Sequence, residues 1–137
     1  MENCLFCKIV DGKTPSFKIY EDDHYYAFLD IAQFTEGHTL VIPKKHIQFV
    51  WDSREIDRYF KVVQKIAQHY RSLGFSYVDS ITLGRMIPHA HVHLIPYNSD
   101  SADYQKALEG IGLLQARKID AETGKRIVQR FKLPESD

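Results

Sequence analysis

No run of 18 apolar residues occurs anywhere in the chain, and Met1 to Lys8 lacks the basic start and apolar stretch of a secretory signal. A membrane span and export are therefore not expected, and the expected compartment is the cytoplasm. An excess of charge of one sign is also missing, since Lys+Arg and Asp+Glu each number 18. Nucleic acid or a membrane surface as main partner usually leaves a basic excess, so neither is expected. Cysteine is scarce. Cys4 and Cys7 are the only two, too few for a disulfide framework; in a reducing compartment a C-x-x-C pair points to metal or redox chemistry. Internal repeats, low-complexity tracts and inter-domain linkers are absent as well.

What remains is ordinary for a soluble globular protein, with 44% hydrophobic and 26% charged residues. A length of 137 residues suits one domain, which buries roughly two-thirds of its unfolded surface without a disulfide staple. Phe17–Glu21 and Tyr25–Leu29 read as two strands joined by a tight turn at Asp22-Asp23-His24, a hairpin. Thr39–Ile42, apolar and β-branched between Gly37 and Pro43, reads as a third, buried strand. Asp52 and Glu55 have capping-box spacing before Ile56, Tyr59, Phe60, Val63, Ile66, Ala67, Tyr70 and Leu73, which recur at helical steps until Gly74. Tyr77–Leu83 and His89–Pro96 read as strands four and five. After Asn98 the pattern weakens: Gly110 and Gly112 interrupt an apolar stretch, and Asp120 can cap a last helix carrying Ile127, Val128 and Phe131 on one side. These elements define an α+β domain on a five-stranded antiparallel sheet with one long helix and a C-terminal helical extension. One helix leaves a bare face and exposed edges on such a sheet. Pairing with a second copy would cover both.

The most informative stretch is His89-Ala90-His91-Val92-His93-Leu94-Ile95. On a strand the three imidazoles share one face, and Ala90, Val92 and Leu94 share the other. Alternating imidazoles can serve as metal ligands, although i and i+2 lie roughly 7 Å apart on a strand. They can equally serve phosphoryl transfer, one ring attacking phosphorus to form a labile phosphorus–nitrogen bond while its neighbours fix the tautomer and pass a proton. The spacing favours neither. His24 and His69 read as surface residues.

The surrounding residues do favour one. His89-x-His91-x-His93-Leu94-Ile95, with Ala27-Phe28-Leu29-Asp30-Ile31 and Gly37-His38-Thr39-Leu40-Val41-Ile42-Pro43-Lys44-Lys45-His46 upstream, resembles the histidine triad (HIT) family of nucleotide hydrolases and transferases. The start, Cys4-Leu5-Phe6-Cys7-Lys8-Ile9-Val10 with Gly12, Pro15 and Ile19-Tyr20-Glu21-Asp22-Asp23, is similar to the opening of many bacterial members. The resemblance covers residues 4 to 96. It implies a single HIT domain over residues 1–137, with a core at about 4–97 and an extension at 98–137. It implies His91 as the nucleophile on the α-phosphorus, oriented by His93, with His89 beside the leaving group and His38 as the fourth active-site histidine. Asp30 falls where members bind the ribose hydroxyls, and Ile9, Phe28, Ile31 and Leu40 match the walls that sandwich a purine. Apart from the motif, these four apolar residues read equally well as core.

In members with this start, the cysteines bind structural zinc together with the residues matching His46 and His89. The resemblance therefore implies a Cys4, Cys7, His46, His89 site, in competition with a catalytic task for His89; a redox dithiol and two inert buried thiols are the other readings. No organic cofactor is implied. The chain departs from the family at Ile81-Thr82-Leu83-Gly84-Arg85-Met86-Ile87-Pro88, where the loop is short, an Asn has no counterpart, and Arg85 replaces Gln. A guanidinium there suits a more highly charged substrate such as a polyphosphate, or else points into solvent. The expected function is hydrolysis of a purine nucleotide derivative through a nucleotidyl-histidine, in a homodimer, releasing a nucleoside monophosphate by phosphoramidase-type chemistry. The alternatives are a dinucleoside polyphosphate hydrolase, a non-catalytic nucleotide-binding module, and a zinc protein whose triad mainly binds metal.

Overall fold

The computed structural model describes residues 3–110 and 118–134. The chain divides into two compact units, Met1–Ala107 and Leu108–Asp137. The first carries helix α1 (Leu5–Val10) and strands β1 (Lys18–Glu21), β2 (Tyr25–Leu29) and β3 (Thr39–Pro43). A one-turn 3₁₀ helix (Val50–Asp52), helix α2 (Ile56–Ser72) and strands β4 (Tyr77–Ile81) and β5 (Val92–Tyr97) follow. Helix α3 (Ala102–Gly110) begins in this unit. All neighbouring strands are antiparallel, in the order β1-β2-β3-β5-β4.

The α+β class and the five-stranded antiparallel sheet expected from the sequence are present. Asp22 closes the first hairpin by accepting the His24 and Tyr25 amides on Oδ1, at 2.8 and 2.7 Å. Strand alternation then sorts the side chains. Ala27, Val41, Val92 and Leu94 face α2, whose Tyr59, Val62, Val63, Ile66 and Tyr70 complete the main core. Two polar ties anchor that helix. The Tyr59 hydroxyl donates to the Val41 carbonyl (2.6 Å), and the Tyr70 hydroxyl meets Thr39 Oγ1, which itself donates to the Gly37 carbonyl.

Five local expectations are corrected. The fifth strand starts at Val92, so His89 and His91 lie on the extended segment that leads into it, although their faces still alternate with Ala90 and Val92. The fourth strand ends at Ile81. The Asp52–Glu55 capping box does not form: Asp52 Oδ2 accepts the Phe49 amide of the 3₁₀ turn, and the N-cap of α2 is Glu55 without a side-chain bond. Ile56 and Leu73, at the two ends of the helical pattern, are exposed. The second sheet face is also not bare. Phe6 and Ile9 of α1 cover Tyr26, Phe28, Leu40 and Ile42, while Tyr104 and Ala107 of α3 cover Ile95 and Tyr97. Both helices are too short to give the long periodic signal that identified α2.

In the second unit, helix α4 (Ala121–Phe131) is capped by Asp120, whose Oδ1 accepts the Thr123 amide at 2.7 Å. Val128 and Phe131 are exposed. Gly110 ends α3, and Gly112 lies outside the described residues.

Gly37 and Gly74 both hold positive φ, +100° and +106°, but only at Gly37 would a Cβ strike a neighbour, Pro96 Cγ at 2.9 Å. Ala at either position forfeits about 1–3 kcal/mol of backbone strain. Gly37→Ala should lose more stability than Gly74→Ala in urea denaturation, because it adds a clash with a rigid buried ring.

Candidate active site and metal corner

Between α1 and the 82–87 loop, the sheet face carrying the histidines opens into a cavity of about 610 Å³. Ile9, Phe28 and Leu40 form its buried walls, Ile31 and Met86 its exposed rim, and Asp30, Arg85, His91 and His93 its polar points. The volume is that of a site for a small organic ligand. Arg85 is the one Lys or Arg among the described lining residues.

The tautomer of each active-face histidine is set by what its other nitrogen touches. His91 Nδ1 lies 2.8 Å from the His89 carbonyl, which can only accept, so the proton sits on Nδ1 and the lone pair on Nε2. No partner among the described residues holds that Nε2. Since no buried side-chain nitrogen or oxygen among the described residues lacks one, Nε2 is not sealed in the core, and His91 is one of the residues that line the cavity. His38 is fixed the other way: its Nδ1 accepts the Phe34 amide (3.1 Å), so Nε2–H donates to His93 Nδ1 (2.9 Å). His93 must then carry its own proton on Nε2. Its ring stands 5.0 Å from that of His91, edge to face.

Burial, with His91 and His38 beside it, pushes the His93 imidazole down to about 4, and burial lowers His38 as well. Both rings are therefore neutral at pH 7. Asp30 Oδ2 lies 3.7 Å from His38 Nε2, and its Oδ1 accepts the Ala32 amide at 2.9 Å. Gln33 staples this loop, donating to the Asp30 and His38 carbonyls and accepting the Gly37 amide.

His89 departs from its expected place beside the leaving group. Its ring is fully buried and does not line the cavity. Nε2–H donates to the Pro43 carbonyl at 2.8 Å, which leaves the Nδ1 lone pair facing Cys4 Sγ and Cys7 Sγ, each 3.4 Å away. His46 Nδ1 lies 3.3 Å from Cys7 Sγ, and the Cys7 amide donates to Cys4 Sγ. The four ligand atoms lie within 4.8 Å of one another. Zinc–sulfur and zinc–nitrogen bonds of about 2.3 and 2.0 Å place sulfur and nitrogen roughly 3.6 Å apart in a tetrahedron, so this donor set fits that ion. Burial and the neighbouring Cys4 push the Cys7 thiol up to about 11, so a metal must displace thiol protons to enter.

A second cluster, Asp30, His38 and His93, is as compact. It does not fit a metal. His38 would have to ligate through Nε2, which places its proton on Nδ1 against the Phe34 N–H already pointing there.

The structure thus brings His91, His93, Asp30, Ile9, Phe28, Ile31, Leu40 and Arg85 to one cavity, with His38 behind His93. Cys4, Cys7, His46 and His89 meet in a separate corner. His24 and His69 are exposed. Several lining residues have no motif signal, among them Phe17, Leu83 and Met86. Phe6 was legible only as the apolar residue between the cysteines; its ring edge packs on Phe28, His89 and His91 at 5.3–5.9 Å.

An antiparallel sheet with a histidine relay on one face and a Cys/His corner behind it defines a class of small α+β proteins with an imidazole-centred ligand cavity. The model of the HIT domain matches residues 11–100, and the chain belongs to the HIT domain family. It is 47% identical to the protein hit of Bacillus subtilis, over 69% of this chain and 71% of the relative. A crystal structure of a HIT family protein from Bacillus anthracis superposes with TM-score 0.73 at 34% identity, covering 94% of this chain and 92% of the other. A zinc-bound histidine triad family protein from Mycobacterium smegmatis superposes with TM-score 0.67 at 30% identity, covering 94% and 92%. No helix among the described residues is long and apolar enough to cross a membrane.

Neutral His93 has a stability consequence whose sign is fixed. Unfolded, it titrates near 6.5; folded, it resists protonation down to about 4. Between those values the unfolded chain takes up a proton that the folded chain refuses, so stability falls as pH falls through the window. His93→Gln should show a shallower loss of melting temperature than wild type from pH 6.5 to 4, measured by differential scanning fluorimetry with zinc held constant.

Proposed function

We propose that the protein hydrolyses a purine nucleotide derivative at its α-phosphorus through a covalent bond to His91, releasing a nucleoside monophosphate. The observation that carries this is the His91 tautomer: the His89 carbonyl holds the Nδ1 proton, which leaves the Nε2 lone pair free on a residue that lines an apolar cavity. Attack by Nε2 forms the phosphorus–nitrogen bond as the bond to the leaving group breaks, the departing amine taking its proton from solvent water. A second water then adds to phosphorus, releasing the monophosphate and restoring neutral His91. As the ring gains positive charge in the attack, its Nδ1–H···O=C bond strengthens, a stabilisation greater in the transition state than in the ground state.

His93 acts through its neutral Nε2–H, which donates to a phosphoryl oxygen as negative charge develops there. An imidazole depressed to about 4 supplies no imidazolium at neutral pH, so it serves as a hydrogen-bond donor rather than a general acid. His38 is the positioning residue that holds it. Asp30 takes the ribose hydroxyls, while Ile9, Phe28, Ile31 and Leu40 take the purine. Cys4, Cys7, His46 and His89 would hold zinc, whose coordinate bonds would tie α1 to the sheet. A homodimer belongs to this reading, since β4 is an edge strand that a second copy can cover.

His91→Asn should abolish turnover of an adenosine phosphoramidate while monophosphate affinity stays close to wild type, since the ring contributes mainly to bond making. Steady-state kinetics, calorimetry and a mass-spectrometric search for the nucleotidyl adduct check this. Retained turnover would remove His91 as the nucleophile, whereas a wild type that binds the monophosphate without turning over the phosphoramidate would favour a nucleotide-binding module instead.

Arg85 favours a second reading, a dinucleoside polyphosphate hydrolase, because this exposed basic residue is one of those that line the cavity. One cation answers little of a polyphosphate's charge, so the phosphoramidate stands first. Arg85→Gln should lower kcat/KM for a dinucleoside polyphosphate about 10-fold or more, the scale of one charge-assisted hydrogen bond, and change the phosphoramidate less. Equal effects on both substrates would remove Arg85 from substrate choice.

A further inference from the structure

His89 belongs to two assemblies at once. Its side chain faces the thiols of the metal corner, and its backbone carbonyl accepts the Nδ1 proton of His91. The two assemblies are therefore one residue apart in covalent structure. A second link runs through α1. Cys4 caps this helix and Cys7 lies one turn on, so the corner fixes both ends of the turn that carries Phe6. Phe6 is 3% exposed, and its ring meets the His91 ring at 5.3 Å and 87°, and the His89 ring at 5.9 Å and 72°. The same helix supplies Ile9 to the cavity wall.

We propose that the Cys4–Cys7 corner is a positioning brace for the nucleophile, acting on His91 through the His89 carbonyl and the Phe6 ring rather than only tying the N-terminus to the sheet. This rests on the reading of His91 as nucleophile. The physical reason is that an imidazole on a single Cα–Cβ–Cγ hinge has two soft torsions and two tautomers. One carbonyl selects the tautomer, and one packed ring edge fixes the torsions. Both contacts belong to residues whose places the corner sets. Loosening it lets the His91 ring turn and its proton redistribute between Nδ1 and Nε2, which removes the lone pair from the cavity for part of the time. Substrate meets α1 only along the wall to which Phe6 and Ile9 contribute, so the larger cost falls on kcat and a smaller one on binding.

The test compares four samples of the full-length protein: wild type loaded with Zn²⁺ and verified by metal analysis, the same protein stripped by chelation, Cys4→Ser/Cys7→Ser, and Zn²⁺-loaded Phe6→Leu. The readouts are the ¹⁵N imidazole signals of His91, kcat and KM for an adenosine phosphoramidate, monophosphate affinity, and circular dichroism. Loaded wild type should show His91 as a single Nδ1–H tautomer. Stripped protein and Phe6→Leu should show mixed tautomers and a kcat lower by about 10–100-fold, the usual scale for lost supporting contacts, with smaller changes in KM and monophosphate affinity. Re-addition of Zn²⁺ should restore both signals in wild type but not in the double serine variant. A folded, stripped protein or folded Phe6→Leu that keeps the single tautomer and wild-type kcat overturns the proposal. Phe6→Leu keeps the test decisive if the metal-free forms unfold. The ¹⁵N signature needs no turnover, so it separates failure of the brace from failure of His91 as nucleophile, which His91→Asn reads directly.

Discussion

The arrangement depends on the way His89 is satisfied. A fully buried imidazole has two ring nitrogens and a peptide carbonyl to place, and an unpaired buried polar atom costs about 1–3 kcal/mol. Here Nε2–H goes to Pro43, Nδ1 faces the two thiols, and the carbonyl receives His91. Each partner lies on a different piece of chain: the end of β3, the first helix, and the segment entering β5. Satisfying one residue therefore joins the N-terminus, the sheet and His91. No apolar residue at position 89 could do this, because packing has no preferred proton position.

The same logic runs through the rest of the histidine face. Backbone groups terminate the relay at both ends, the Phe34 amide behind His38 and the His89 carbonyl behind His91. Peptide groups cannot change protonation, so they fix tautomers where a side chain might switch. Burial adds to this by lowering His38 and His93, which keeps those rings neutral. Neutral rings offer a lone pair or a directed N–H at chosen points, and a cationic ring would offer neither lone pair. The electrostatic design is one of placed protons more than placed charges, consistent with a single Lys or Arg among the described lining residues.

The order and kind of the strands, the long helix and the Asp120 cap were legible because each has a local cause: alternation, 3.6-residue spacing, a capping carboxylate. Helices α1 and α3 were not, since six and nine residues give too few periods to stand out. The capping box failed because Asp52 is claimed by the 3₁₀ turn before it. The choice between metal and catalysis at His89 was also not legible. The alternation His-x-His-x-His is uniform, and nothing in it shows that one ring turns toward Cys4 and Cys7 while the next two line the cavity.

Sequence by itself determined the residue types that can do this chemistry and the faces they share, because side-chain period and composition are properties of the chain alone. Three alternating imidazoles, a C-x-x-C pair and Asp30 before Gly37-His38 are complete as a parts list. The tertiary structure decided which nitrogen of each ring holds its proton, since that depends on a carbonyl or amide brought close by folding. Cys4 and His89 are 85 residues apart, and His38 and His93 are 55 apart. Only the antiparallel register that sets Leu40 opposite His93 brings the second pair together, and only the packing of α1 on β2 and β3 brings the first.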